Sequence, residues 1–288
     1  MNNLKMKVWN INGRSGVQRE NEPAYTIPLF IASELMGKNP DASTADIIVL
    51  TEFVITTGWG KLKYNLEKNG YSLFISHESG QNGILIALKN IEGLNLESVV
   101  STSEMNTEKV ERPNFLQVTV KYNGKSLSII GVRIRVDKKI SQKDFLDRRE
   151  QLEALIDHLS TLENIIVGGD FNNAKINGNL ARKYSEVREE YRYTSKGELN
   201  VSYDTYNYHI LKDAIEERGY FLHTPKGNVP SWGNYFKLDH IITSKSIAAS
   251  NVEYSWSFKN KKNGYGEFTT NDIRLPDHAI LSADISID

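Results

Sequence analysis

Carboxylates, carboxamides and histidines in this 288-residue chain gather at the ends of short apolar runs. Asn10 and Asn12 close KMKVWNIN, Glu52 follows DIIVLT, and Asp170 and Asn172 follow IIVGG. Asp239 and His240 open DHIIT, and Asp277 and His278 directly precede AILSADI. A residue at the end of a strand is held by fixed backbone, which is how a side chain is aimed at a sheet edge. The set suits phosphodiester hydrolysis, which needs charge neutralisation at the phosphoryl group, a water in line and a proton path to the leaving oxygen. Carboxylates and an amide oxygen suit a hard ion such as magnesium, which takes oxygen ligands and keeps several waters. Asp170 is of a type to orient or deprotonate water, and Asn172 to donate to a phosphate oxygen without adding charge. A histidine can carry a proton while an aspartate fixes its ring. Singly, each residue also has an ordinary use, as a turn or cap residue or as surface polarity. Their joint occurrence points to chemistry.

The elements that must position them read as short strands alternating with helices. Strands are expected at residues 4–11, 46–50, 71–75, 83–88 and 94–100. Residues 115–122 and 127–132 form a hairpin around Asn123-Gly124, a pair that favours the tight left-handed turn joining antiparallel strands. Further strands are expected at 165–169, 238–243, 251–257 and 279–285, and helices at 24–36, 142–159 and 210–218. Residues 174–208 form a less regular stretch, rich in tyrosine and charge. With no internal repeat and no Pro/Ser-rich linker, residues 1–288 read as a single domain. The mixture of hairpins and helices predicts α/β architecture, with sheets covered by helices.

Composition narrows the classes. Lysine and arginine total 35 against 36 acidic residues, so the formal net charge is -1 and a global polycation is excluded. There is no cysteine, which removes disulfides, thiolate metal sites and cysteine nucleophiles. Neither an apolar signal core nor a long transmembrane run is evident, and a cytoplasmic location is expected.

The segments VWNING, IVLTE, GGDFN, LDHIITS and LPDHAIL, in that order over residues 8–281, resemble the endonuclease/exonuclease/phosphatase superfamily of DNase I-like proteins. The resemblance implies a four-layer α/β sandwich, with two facing mixed sheets flanked by helices and a catalytic cleft at one edge. It implies that Asn10 lies near the reacting phosphate, and that Asp170 and Asn172 organise the attacking water and the phosphate. Asp239 would orient the catalytic His278. Glu52 would be the principal metal ligand, with Asn12 and Asp277 at auxiliary positions, for Mg2+ or Mn2+ in its place. Many relatives place a phosphate-contacting histidine or tyrosine where this chain reads IIGVRIRV, so Arg133 or Arg135 is expected to supply that contact.

Nucleic acid is the leading expected substrate, cleaved as by an endo- or exodeoxyribonuclease. A small nucleotide, inositol phosphate or phospholipid headgroup is the alternative, and a catalytically silent binding protein comes third. Between Arg133 and Arg149 seven basic residues face three acidic ones, a stretch that either tracks a nucleic-acid backbone or is a solvated surface. Trp232 is placed to shape the cleft or to pack. The tyrosines 184, 191, 193, 203, 206 and 208 either stack on bases or pin a long loop.

Overall fold

The structure, a computed structural model, describes residues 3–15, 26–37, 44–76, 82–137, 141–176, 203–233, 236–260 and 275–287. In chain order the elements are β1 (Leu4–Asn10), α1 (Thr26–Met36), β2 (Ile47–Phe53), α2 (Trp59–Lys68), β3 (Tyr71–Ile75) and β4 (Gly83–Lys89). Then come β5 (Leu94–Ser101), β6 (Asn114–Tyr122), β7 (Lys125–Arg133), α3 (Gln142–Leu159) and β8 (Ile165–Ile176). The chain continues with α4 (Tyr203–Glu217), β9 (Phe221–His223), β10 (Phe236–Thr243), β11 (Ile247–Ser255) and β12 (Ile280–Ile287).

The strands form two six-stranded mixed sheets, ordered β11-β12-β1-β2-β4-β3 and β5-β6-β7-β8-β10-β9. β1 runs parallel to β2 and β7 parallel to β8, and the other pairings are antiparallel. Alternation within each strand builds three apolar layers. Val8, Val49, Ile129 and Ile166 face the space between the sheets. Trp9, Ile48 and Leu50 turn the other way, toward Phe30, Leu35, Leu62 and Leu66 of α1 and α2. Ile130, Ile165 and Val167 meet Phe145, Leu152, Leu211 and Ile215 of α3 and α4. Runs such as DIIVL are therefore apolar at every position because both faces of the strand are covered. The result is the four-layer α/β sandwich.

Glycine lets the sheets close. A Cβ on Gly131 would stand 2.4 Å from Ile84 Cγ2, and one on Gly168 would stand 2.5 Å from Val8 Cγ2. The double glycine before Asp170 thus serves packing, since a Cβ on Gly169 would stand 1.8 Å from Val132 O. The hairpin turn is as expected, with Asn123 at φ 49 and Gly124 at φ 83.

Several elements depart from the sequence-based expectation, among them β8, which runs on to Ile176 rather than ending at residue 169. α2 was not foreseen, because only Leu62 and Leu66 among its ten residues are buried and its pattern is correspondingly thin. α4 begins at Tyr203 rather than residue 210, β11 begins at Ile247 rather than residue 251, and the three-residue β9 is too short to signal itself. Among the described residues, no helix is long and apolar enough to cross a membrane.

Candidate active site

Two parallel strand pairs end at one edge of the sandwich, and their last residues face each other there. Asn10 ends β1, Glu52 sits near the end of β2, Arg133 ends β7, and Asp170 lies in β8 opposite Arg133. The backbone at this edge is strained. Asn12, Glu52 and Asn172 have φ of 46, 49 and 50, a left-handed region that costs energy outside glycine and clusters at functional sites. At Glu52 the pairing of β2 with β4 slips between Thr51 and Phe53, a bulge that re-aims the side chain. The two asparagines share a device. Asn10 Oδ1 accepts the amide of Asn12 at 2.9 Å, and Asp170 Oδ1 accepts that of Asn172 at 2.9 Å. Each is a side chain bonding its own backbone two residues on, the local contact that lets asparagine hold a left-handed turn. The spellings NIN and DFN are that geometry written in sequence.

The side chains form one network across both sheets. Asn10 Nδ2 donates to Glu52 Oε1 at 3.1 Å and to Asp170 Oδ2 at 2.9 Å. Asn172 Nδ2 donates to Ile134 O at 2.8 Å and to Asp170 Oδ2 at 3.2 Å. Arg133 brings Nε and Nη2 to Glu52 Oε1 at 2.9 and 2.8 Å. On the other side of the cavity His278 Nδ1 lies 2.8 Å from Asp239 Oδ2. Asp239 is anchored through its backbone, its amide donating to Ser231 Oγ at 3.3 Å and its carbonyl accepting from Tyr254 Oη. Trp9 Nε1 donates to His278 O at 2.9 Å, fixing that loop to β1.

Burial sets the proton affinities. Desolvation is the main force raising the Asp170 carboxyl above its usual value, with the Asp239 charge adding to it. His278, Arg133 and the Asn172 amide pull the other way. For His278 desolvation acts downward, yet the charge and hydrogen bond of Asp239 prevail and lift the imidazole to about 9. At neutral pH the ring is therefore an imidazolium, with Nδ1 engaged by Asp239 and the ring lining the cavity.

No family model and no curated protein sequence matches the chain. Solved structures do. An AP endonuclease from Archaeoglobus fulgidus aligns at 16% identity and TM-score 0.63, over 99% of each chain. The 3' phosphatase NExo from Neisseria, bound to a product DNA hairpin, aligns at 17% and 0.63, also over 99% of each. An endonuclease/exonuclease/phosphatase from Beutenbergia cavernae aligns at 15% and 0.61, over 99% of this chain and 72% of that one. The chain has the endonuclease/exonuclease/phosphatase fold.

Within this fold the sequence-predicted residues divide cleanly. A cavity of about 320 Å³ is lined by Asn12, Glu52, Arg133, Asp170, Asn172, Trp232, Asp277 and His278. Asn10 is fully buried beneath it, and Asp239 stands behind His278. Arg135 is elsewhere: its Nη2 pairs with Glu111 Oε2 at 2.9 Å, and it lines a separate polar groove with Arg112 and Asn114. His240 is buried away from the cavity lining, its Nδ1 2.8 Å from Thr224 Oγ1 and its Nε2 3.2 Å from Asn173 O. Sequence reasoning missed the apolar wall of Val136, Phe236 and Leu238 beside Trp232. The run YFKLD carried the signal, because alternation puts Phe236 and Leu238 on one face of the strand that bears Asp239.

The described part of the basic stretch is spent in ion pairs. Arg133 takes Glu52, Arg135 takes Glu111, Lys143 takes Asp147, Arg148 takes Asp144 and Arg149 takes Glu153. Lys138 and Lys139 lie outside the described residues, as do Tyr184, Tyr191 and Tyr193. Tyr208 is a buried packing residue of α4, with its ring 5.9 Å from that of His240.

Among the described residues, no three of His, Asp or Glu group as a protein-built metal cage. Glu52 still offers Oε2, since Asn10 and Arg133 both bond Oε1, and Asn12 borders the same cavity. Asp277 is exposed and accepts from Trp232 Nε1 at 3.3 Å. One carboxylate oxygen and a nearby carboxamide fit a hard ion that keeps most of its water, and not an ion caged by protein.

Proposed function

We infer that the chain is a divalent-cation-dependent phosphodiesterase that hydrolyses nucleic acid. The observation that carries this reading is the convergence, in one cavity, of the buried Asp170 with its raised pKa and the Asp239-His278 pair. A carboxylate raised toward a better base and an imidazole raised so that it keeps its proton are suited to opposite ends of one proton path. Asp170, held by Asn10 and both amides of Asn172, accepts a proton from the attacking water. His278 Nε2 donates to a phosphoryl oxygen, and Asp239 fixes its ring. A divalent ion at Glu52, with Asn12 and Asp277 on the cavity wall, would supply charge neutralisation at the phosphoryl group. Asn172 spends both amide hydrogens inside the protein, so its contribution is to hold Asp170. The wall of Val136, Trp232, Phe236 and Leu238 gives a sugar or base an apolar surface next to the phosphate.

The AP endonuclease and the DNA-bound 3' phosphatase among the structural neighbours support a nucleic-acid substrate. A small phosphoester is the second reading, favoured by the net charge of -1 and by the ion pairing of the basic stretch. The deciding assay incubates wild-type protein with supercoiled plasmid, an abasic-site duplex and a 3'-phosphorylated oligonucleotide, with magnesium or with EDTA. Cleavage that needs both the metal and His278, judged against a folded His278→Ala variant, supports the nuclease. Inactivity on all three, with turnover of nucleotides or inositol phosphates, replaces it with the second reading.

A further inference from the structure

We propose that Arg133 is an exchangeable counter-cation, which holds Glu52 until a divalent ion takes that carboxylate and then passes to the substrate phosphate. The inference rests on reading Glu52 as the cation ligand. Arg133 places both Nε and Nη2 on Glu52 Oε1, at 2.9 and 2.8 Å, and Asn10 Nδ2 reaches the same oxygen at 3.1 Å. One oxygen thus carries two N–H donors and the Nη2 contact of the ion pair while its twin carries none of them. Both side chains border the cavity and are partly open to it, with side-chain exposures of 14% for Arg133 and 17% for Glu52. The pair is therefore neither sealed in the core nor lost in solvent.

Two properties of the site make the pair exchangeable. A guanidinium fork fits a phosphate as well as a carboxylate, so the same donors serve either partner. A divalent ion on Glu52 stands beside that guanidinium, and like charges repel strongly where little water screens them. The backbone need not move, because Arg133 stays in register with Asn114 of β6 and Asp170 of β8. Metal and phosphate consequently bind with positive coupling. The metal frees Arg133 for the phosphate, and the phosphate draws Arg133 off the metal ligand.

The test measures binding, not turnover. Mn2+ is titrated calorimetrically into wild type, Arg133→Met and Glu52→Gln, with and without dimethyl phosphate as a soluble phosphodiester. Arg133→Met is expected to bind Mn2+ about tenfold or more tighter than wild type. Dimethyl phosphate is expected to tighten Mn2+ binding by wild type and to leave Arg133→Met unchanged, while Glu52→Gln loses the tight site. Arg133→Gln replaces Arg133→Met should the latter melt early. Equal or weaker binding by the Arg133 variants overturns the proposal, as does a phosphate effect of the same size in wild type and variant. Mn2+ binding that survives Glu52→Gln overturns it too. Normal exchange in a protein that cleaves no nucleic acid would instead defeat the choice of substrate alone.

Discussion

In the first sheet the chain runs β1-α1-β2-α2-β3-β4 and sets those strands in the order β1-β2-β4-β3; in the second it runs β7-α3-β8-α4-β9-β10 and sets them β7-β8-β10-β9. Each sheet holds one parallel pair, and both pairs point their ends at the same cavity. The wiring is the same, yet the side chains at matched ends differ. β1 ends in the carboxamide Asn10 where β7 ends in the guanidinium Arg133. β2 offers Glu52, partly exposed and tied to Arg133, whereas β8 offers Asp170, 1% exposed and held by carboxamides and an amide. A duplicated frame brings two carboxylates face to face, and their neighbours then assign them different work. Burial holds the Asp170 carboxyl above its usual value, which suits a base, while the more open Glu52 suits a cation ligand.

That contrast predicts unequal responses to metal. Asp170→Asn is expected to lower kcat by about 10²- to 10⁴-fold, with no recovery at high magnesium. Glu52→Gln is expected to lose activity that raised magnesium partly restores. Full magnesium titrations of both variants check this, and identical curves would erase the distinction between the two carboxylates.

The second sheet also supplies Asp239, while His278 enters from the loop before β12 of the first. With the imidazole lifted to about 9, the pH profile of kcat/KM should hold up to that value and fall above it. Asp239→Asn removes the two largest raising influences and leaves the charges of Asp170 and Asp277, and its alkaline limb should shift down by one unit or more, as a pH-rate series would show. The pair also links to stability. The folded value lies above the unfolded 6.5, so the gain is complete below pH 6.5 and is lost as the pH rises through about 9. An unshifted alkaline limb in Asp239→Asn would detach His278 from the rate.

Packing between the sheets is asymmetric too. The first sheet presents Val8, Met6, Val49 and Ile84, and the second answers with Gly131 and Gly168. Gly168→Ala should destabilise by about 1–3 kcal/mol in chemical denaturation. Val8→Ala made in the same chain should recover part of that loss, giving a negative coupling in a double-mutant cycle. Strict additivity would mean the sheets do not meet as knob and hole.

How much of this was legible depends on which physical signal each part leaves. The strands buried on both faces announce themselves as unbroken apolar runs, and the polar residues that end them stand out for that reason. Glu52, Asp170 and His278 were readable in this way, and the ordered motifs gave the sandwich. The facing of the sheets came from the family resemblance alone, since nothing in DIIVLTE or IIVGGD by itself says that their ends meet. The repeated wiring was invisible, because the matched strands share topology and no residues. Nor could residue type say that Arg133 pairs with Glu52 while Arg135, two positions on, leaves the cavity for Glu111. Alternation separates the two from neither partner; only the fold supplies the carboxylates.

The smallest effect is expected where the second sheet's helix carries its charges. Arg149 reaches Glu153 at 3.2 Å on the surface of α3, with side chains 40% and 41% exposed. An exposed pair one turn apart is screened by water and spends entropy to keep its geometry, so Arg149→Ala should change stability by no more than about 0.5 kcal/mol. Its effect on nucleic-acid binding is the sharper question. A lysine or arginine that neutralises a phosphate releases a counterion, and its removal lowers the salt slope of log K by about one. Arg149 already has its carboxylate, so the slope measured with a DNA oligonucleotide should be the same in variant and wild type. A slope reduced by a full unit would show that Arg149 leaves Glu153 for a phosphate. The helix face of the second sheet would then belong to the substrate path, and the functional asymmetry between the sheets would extend well beyond the cavity.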